Sequence, residues 1–347
     1  MTTSSDSLAR AHRRRANGAS AWVRSILLGL LALAAVTALG VSTEALTAAG
    51  DATRYPPPGQ LIAVGDHRLH LACAGDGGPT TVLVTGLGGS SLLWARVQPL
   101  LASSVRVCVY DRAGLGWSDA SDREGTPAAA AAELNVLLTK AAVPGPYVLV
   151  GASVGGKYAR MFAEHYPNEV AGLVLVDARH ESVDAAMTPD EQAAVLAGAR
   201  RDGRLYWLLG RLGVMRLFGA AMAAGMSPGA AELPESTRTL LMVQAARPHA
   251  IDAMLREHTG STADDERLRA ARSLETLPLV VLAADSSVAR SPEWGAGQEA
   301  QRQLSTNSRL VVVARSSHHL ALDQPQVVAD AVLDVVSAAR TGSPLAR

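Results

Sequence analysis

Short runs of valine and leucine, each bounded by turn residues and followed by a helical stretch, recur along this chain. They constrain its fold more than any other feature. Residues 61–64 and 68–74 form two strands joined at Gly65-Asp66, and 80–85, 105–110, 147–150, 172–176, 279–282 and 310–313 form the rest. Helical stretches such as 127–142 and 156–165 lie between them. Near-continuous aliphatic strands alternating with helices require a mostly parallel sheet, because only helices on both faces can bury such strands. The rhythm breaks at 178–274, where about 95 residues carry helical patterning and no strand. The expected class is therefore α/β: eight strands, a core split into 60–177 and 275–347, and a helical cap at 178–274 between the halves.

The N-terminus predicts a compartment. Arg10, Arg13, Arg14 and Arg15 precede a stretch from Arg24 to Glu44 that holds no charge. Its length, about 19 residues, matches the roughly 20 a helix needs to cross a bilayer. Arginines on the near side put residues 1–24 in the cytoplasm, 25–43 in the membrane, and the remainder outside. Residues 44–59, with Tyr55-Pro56-Pro57-Pro58, read as a stiff linker. Two other readings stand beside this one. A cleaved export signal would use the mediocre site Thr47-Ala48-Ala49 and release the protein, and a buried helix of a soluble protein would do neither. The expected location is the cell membrane with an extracytoplasmic body, or secretion if the segment is cleaved.

Charge and cysteine count remove other classes. The 347 residues carry a formal net charge of +0, without the basic footprint of a nucleic-acid binder. Two cysteines exclude a disulfide-dense scaffold and a cysteine zinc cluster. Cys73 and Cys108 both fall on strands, either as buried inert thiols or as a cross-strand disulfide, which an exported protein can keep. His67, His70, His165, His180, His249 and His258 are scattered without metal-ligand spacing and read as structural. His180 alone lies close enough to Asp177 to be considered for substrate contact. No metal and no cofactor is expected.

The chemistry concentrates in three places. Val150-Gly151-Ala152-Ser153-Val154-Gly155-Gly156 follows a strand and opens a helix. G-x-S-x-G in that setting is a nucleophile elbow, a turn so tight that its flanks need glycine and its serine stands exposed above the sheet. The helix N-terminus offers free N–H groups to a developing oxyanion. Gly86-Leu87-Gly88-Gly89 follows an earlier strand, where a second oxyanion donor is expected. Leu87 is the first choice and Gly88 the second, beside the N–H of Val154. Finally, Arg315-Ser316-Ser317-His318-His319-Leu320 follows the last strand, the place of a general-base histidine in the order Ser…acid…His.

Over roughly residues 57–339 the chain resembles the α/β-hydrolase fold family. The resemblance is carried by Thr85-Gly86-Leu87-Gly88, by Asp111-Arg112-Ala113-Gly114-Leu115-Gly116-Trp117-Ser118, by the elbow, and by His318…Pro325. It implies that the Asp111–Ser118 turn buttresses the site without chemistry of its own. A proline seven positions on selects His318 over His319. The cysteine strands become neighbours, which favours the disulfide. Ala152 departs from the histidine that relatives often carry there, which alters a pocket wall. The acid is the larger departure. Relatives place it after the seventh strand, where the register puts Ser287, with Asp285 two positions early. Other branches take it from the end of the sixth strand, where Asp177 stands. Asp177, Asp285 and, less directly, Glu293 remain open.

The expected activity is that of a serine hydrolase acting on a small acyl substrate of lipophilic character, most simply an ester. Serine at the nucleophile position argues against the dehalogenase and epoxide-hydrolase branches, which use aspartate. Peptidase, amidase, lactonase and acyltransferase remain alternatives, as does a non-catalytic binding protein that keeps the pocket, and fold does not choose among them. The apolar stretch 205–218 with interspersed arginines, followed by Met222, Met226, Met242 and Met254, reads as cap packing, as a lid over an acyl pocket, or as a surface helix against the membrane.

Overall fold

A computed structural model describes residues 4–271 and 273–345, with side chains from residue 22 onward. The sheet comprises β1 (Gln60–Ala63), β2 (Arg68–Ala74), β3 (Thr80–Val84), β4 (Val107–Asp111), β5 (Tyr147–Ala152), β6 (Val170–Val176), β7 (Leu279–Ala284) and β8 (Ser308–Val313). Their spatial order is β1-β2-β4-β3-β5-β6-β7-β8. β1 and β2 run antiparallel to their neighbours, and all later pairs are parallel. Cys73 and Cys108 stand directly opposite each other on β2 and β4 and form a disulfide, which decides between the two readings of the cysteines.

The fifteen helices among the described residues divide by role. α1 (Ser4–Arg54) leads the chain, and α2 (Gln98–Ala102), α3 (Pro127–Lys140) and α4 (Gly155–His165) belong to the first half of the core. The cap holds α5 (Glu181–Ala185), α6 (Pro189–Arg211), α7 (Val214–Ala224), α8 (Pro228–Ala231), α9 (Glu235–Ala245), α10 (Pro248–Gly260) and α11 (Asp265–Ala270), with no strand among the described residues. α12 (Asp285–Arg290), α13 (Pro292–Arg302), α14 (Leu320–Asp323) and α15 (Pro325–Thr341) complete the second half.

Period-two alternation explains how one strand serves two layers. On β5, Tyr147 and Leu149 pack against Leu134, Leu138, Tyr158 and Phe162 of α3 and α4. Val148 and Val150 face the other way, toward Leu101 of α2 and Val328, Val332 and Val335 of α15. Each such aliphatic side chain removed from water contributes about 1.5–3 kcal/mol. A charge layer bonds the cap to α4 beneath it. Buried Lys157 reaches Asp184 at 2.7 Å and Asp265 at 2.6 Å, and Arg160 forks onto Glu181.

One boundary needs correction. Residues 44–54 are not linker: α1 continues through them to Arg54, leaving only 55–59 before β1. Nothing in 44–54 breaks a helix, and the first proline is Pro56. Arg216 of the cap holds this end in place, pairing with both oxygens of Glu44 and of Asp51 at 2.8–3.0 Å. Within α1 the stretch Trp22–Arg54 has the length and apolar composition of a membrane span, as an N-terminal export signal also does. The side chains of Arg10 and Arg13–Arg15 lie outside the described residues.

Candidate active site

The turn between β5 and α4 holds Ser153 at φ +53°, a left-handed conformation that costs energy for a residue with a side chain. The flanking glycines explain why the turn closes. A Cβ on Gly155 would sit 2.6 Å from the carbonyl oxygens of Val84 and Thr85, and one on Gly156 2.4 Å from the Ala178 Cβ. Backbone bonds over-determine the strained residue. Ser153 N–H donates to the Val176 carbonyl at 3.1 Å, while its own carbonyl accepts from Gly156 and Arg179, both at 3.0 Å.

The loop after β8 brings His318 to this serine, with Nε2 3.0 Å from Ser153 Oγ. The other ring nitrogen, Nδ1, lies 2.7 Å from Asp177 Oδ2. Asp177 ends β6, the strand beside β5, and is fully buried. A buried carboxylate needs its lone pairs filled. Oδ1 accepts from the Ala284 N–H at 3.0 Å and Trp294 Nε1 at 2.8 Å, and Oδ2 also accepts from Ser287 Oγ at 2.6 Å. An acceptor-only carboxylate assigns the proton to Nδ1, which leaves the Nε2 lone pair facing the serine hydroxyl. Trp294 stands edge-on to the His318 ring at 5.4 Å and fixes its plane.

The structure thus brings together Ser153, His318 and Asp177, and it removes Asp285 from the acid position. Asp285 accepts the N–H groups of Ser316 at 3.0 Å and Arg315 at 2.6 Å, which hold its carboxyl below the usual range. It staples the end of β7 to the histidine loop and does not touch the imidazole. Glu293 accepts from Ser291 Oγ at the start of α13 and is equally apart. Ser287 has a signal in the sequence, since it occupies the register of the family's aspartate. Its hydroxyl ends on the carboxylate that β6 supplies instead. Trp294 has none. His180 caps α5, bonding the Ser182 N–H through Nδ1, and burial pushes its pKa down to about 4. Among the described residues, no group of three or more His, Cys, Asp or Glu is arranged to hold a metal ion.

The glycine loop after β3 also departs from expectation at one residue. Gly88 is corrected: its N–H donates to Glu257 Oε2 at 2.9 Å and is not free. Among the described residues the N–H groups of Leu87 and Val154 have no acceptor. The loop lies against Ser153, since a Cβ on Gly86 would be 3.0 Å from Ser153 Cβ and 3.6 Å from its Oγ. Arg112, from the Asp111–Ser118 turn, shapes it from below. Its guanidinium donates to the carbonyls of Thr85 at 2.8 Å and Gly86 at 2.7 Å and forks onto Glu257 of α10. A cap residue 169 positions from Gly88 therefore helps set the loop. Glu257→Gln is expected to strand the buried Arg112 charge. The cost, about 3–5 kcal/mol, is that of breaking a buried pair by one partner. Urea unfolding would read it as a lower midpoint at constant slope, and an unchanged midpoint would refute the coupling.

A cavity of about 270 Å³ opens on Ser153 and His318, lined mainly by Leu87, Leu93, Trp94, Leu320 and Leu322. Leu93 and Leu322 also pack against cap residues Ala230 and Leu233, so the cap forms one wall. His319 lines the same cavity, and burial together with the neighbouring His318 lowers its pKa. A serine hydroxyl bonded to an imidazole, two free N–H groups beside it and a mainly apolar cavity form an arrangement suited to acyl transfer.

Residues 79–206 match the model of the alpha/beta hydrolase fold family. A Schizosaccharomyces pombe protein without an assigned function is 30% identical over 285 residues, covering 72% of this chain and 49% of that protein. The chain thus aligns with about half of that relative's length. Among solved structures, an epoxide hydrolase superposes with a TM-score of 0.64 at 18% identity, covering 80% of this chain and 98% of the other. An esterase from Exiguobacterium antarcticum superposes at 0.62 with 18% identity, covering 80% and 99%. At these identities the likeness concerns the fold.

Proposed function

The chain belongs to the α/β-hydrolase fold family, and on that premise we propose that it is a membrane-tethered, extracytoplasmic serine hydrolase of carboxylic esters. The observation that carries this reading is the run Asp177–His318–Ser153, linked at 2.7 and 3.0 Å beside two unpaired N–H groups. His318 Nε2 takes the Ser153 proton as Oγ attacks the ester carbonyl. The N–H groups of Leu87 and Val154 receive the oxyanion. His318 then returns the proton to the departing alkoxide, leaving an acyl-serine. A water molecule, deprotonated by the same imidazole, releases the acid and restores the hydroxyl. Asp177 holds the imidazole tautomer and balances the imidazolium that forms. Esterases of known structure share the fold. The exported location rests on the uncharged stretch of α1 and on the arginines that precede that stretch within the helix.

The cavity falls just below the roughly 300–1,000 Å³ usual for drug-sized ligands, so it suits a compact apolar acyl group. Full-length protein in detergent is expected to hydrolyse short-chain p-nitrophenyl esters and to lose rate as the acyl chain lengthens. No ester turnover combined with fluorophosphonate labelling of Ser153 would move the assignment to amide or peptide bonds. Absence of both would leave a binding protein.

A further inference from the structure

Residues 25–43 form the uncharged part of α1, about 19 residues or about 28 Å of helix, close to the thickness of a bilayer's hydrocarbon core. Gly40 therefore sits near the outer edge of that span and Glu44 just beyond it. The cap meets the helix at this level. A Cβ on Gly40 would lie 2.7 Å from the carbonyl oxygen of Leu212, at the corner between α6 and α7. Arg216, one turn further on, clamps Glu44 and Asp51. Trp207 shares a cleft with Val41, Glu44 and Ala45. The α6–α7 corner is thus held level with Gly40 and Glu44, at the outer end of the uncharged stretch of α1.

That corner is apolar and uncovered. Residues 204–208 are exposed in an unbroken run that covers a full helical turn. It carries Leu205, Tyr206, Trp207 and Leu208, and the first turn of α7 adds Leu217, 76% exposed, and Phe218, 59% exposed. Basic residues flank the patch at Arg200, Arg204 and Arg211, with the Arg211 guanidinium over the Trp207 ring. Leucine and aromatic side chains bordered by arginine are the composition of segments that lie in the membrane interface.

Resting on the reading of α1 as a membrane anchor, we propose that the α6–α7 corner of the cap is seated in the outer headgroup layer of the same bilayer. Leu205, Trp207, Leu208, Leu217 and Phe218 contact lipid, and the cap is a second membrane contact beside the anchor. Leu209, Met222 and Met226 of the cap pack against the same apolar cluster as Leu93, which lines the catalytic cavity.

The test uses the full chain in vesicles of phosphatidylcholine and phosphatidylglycerol. Both native cysteines are in the disulfide, so a single introduced thiol takes a bimane label. Leu217→Cys is compared with Leu33→Cys within the span and with Ser343→Cys. The last lies beside Arg340, which bonds Gly78 at the opposite end of the sheet from the cap. Position 217 is expected to lose most of its fluorescence to doxyl-labelled lipid and to resist iodide, with 343 behaving the opposite way. Iodide quenching at 217 equal to that at 343, with 33 still quenched by lipid, would overturn the seating while leaving the anchor intact. Protection of 217 from both quenchers would also overturn it, in favour of a protein partner. Failure of lipid quenching at 33 would remove the anchor itself and the proposal with it.

Discussion

Ser153→Ala is expected to lower the turnover of a susceptible ester by about 10⁴- to 10⁶-fold and to abolish fluorophosphonate labelling, the scale set by losing the nucleophile of a triad that acts as a unit. The effect is large because no other hydroxyl bonds His318 Nε2 among the described residues. The fold should survive. The backbone bonds of residue 153 to Val176, Gly156 and Arg179 do not involve its side chain, and alanine meets the same conformational cost at φ +53°. His318→Ala should match it closely. Circular dichroism would certify folding before turnover is compared. A folded Ser153→Ala protein within tenfold of wild type would end the serine-hydrolase reading.

The second large effect separates two aspartates that compete for one role in the sequence. Asp177→Asn is expected to cost about 10⁴ in kcat, since an amide nitrogen facing Nδ1 stabilises the wrong imidazole tautomer. Asp285→Asn should cost less than about tenfold, because its carboxylate orients the Arg315–Ser316 backbone and not the ring. The two variants also differ in pH behaviour. Asp285 has a folded-state pKa below its unfolded value, held there by the N–H groups of Ser316 and Arg315. Its contribution to stability is therefore present above the unfolded pKa and disappears as the pH falls through the lower folded one. Acid unfolding of wild type and Asp285→Asn should converge in that window and part above it. Equal losses of kcat in the two variants would overturn the assignment of Asp177.

Much of the fold is legible in the chain because its signals are local. β2 spans the seven residues read as a strand after the Gly65-Asp66 turn, and the elbow lies between the strand and helix that its glycines announce. Helical patterning without strands in 178–274 is enough to mark the cap. Continuity of helix past Glu44 is harder to see, because the prolines at 56–58 draw the linker boundary back too far. Nothing before Pro56 ends a helix, and the clamp that steadies the extension comes from Arg216, 172 positions from Glu44.

The site divides in the same way. Ser153, His318, Leu87 and Val154 announce themselves by turn chemistry and by position after a strand. The choice between Asp177 and Asp285 does not, because both end neighbouring parallel strands, β6 and β7, and both lie near the histidine loop. Which carboxylate reaches the ring depends on side-chain direction at each strand's end. Asp177 adopts φ +42° and turns inward to four donors, whereas Asp285 opens α12 and turns to the backbone of the loop. Gly88 is a candidate donor by sequence, but Glu257, on a cap helix, takes its N–H.

By itself, the sequence determined the layer architecture and the apolar N-terminal helix and singled out Ser153 and His318, since periodicity, glycine at a strained turn and the absence of charge each act within a few residues. The tertiary structure alone decided which carboxylate meets His318, the occupancy of the Gly88 N–H, the Arg112–Glu257 support of the loop after β3 and the clamp of the cap on α1. Each of these joins groups tens to nearly two hundred positions apart, and hydrogen bonds operate over about 3 Å, so only the folded chain can say which partners arrive within reach.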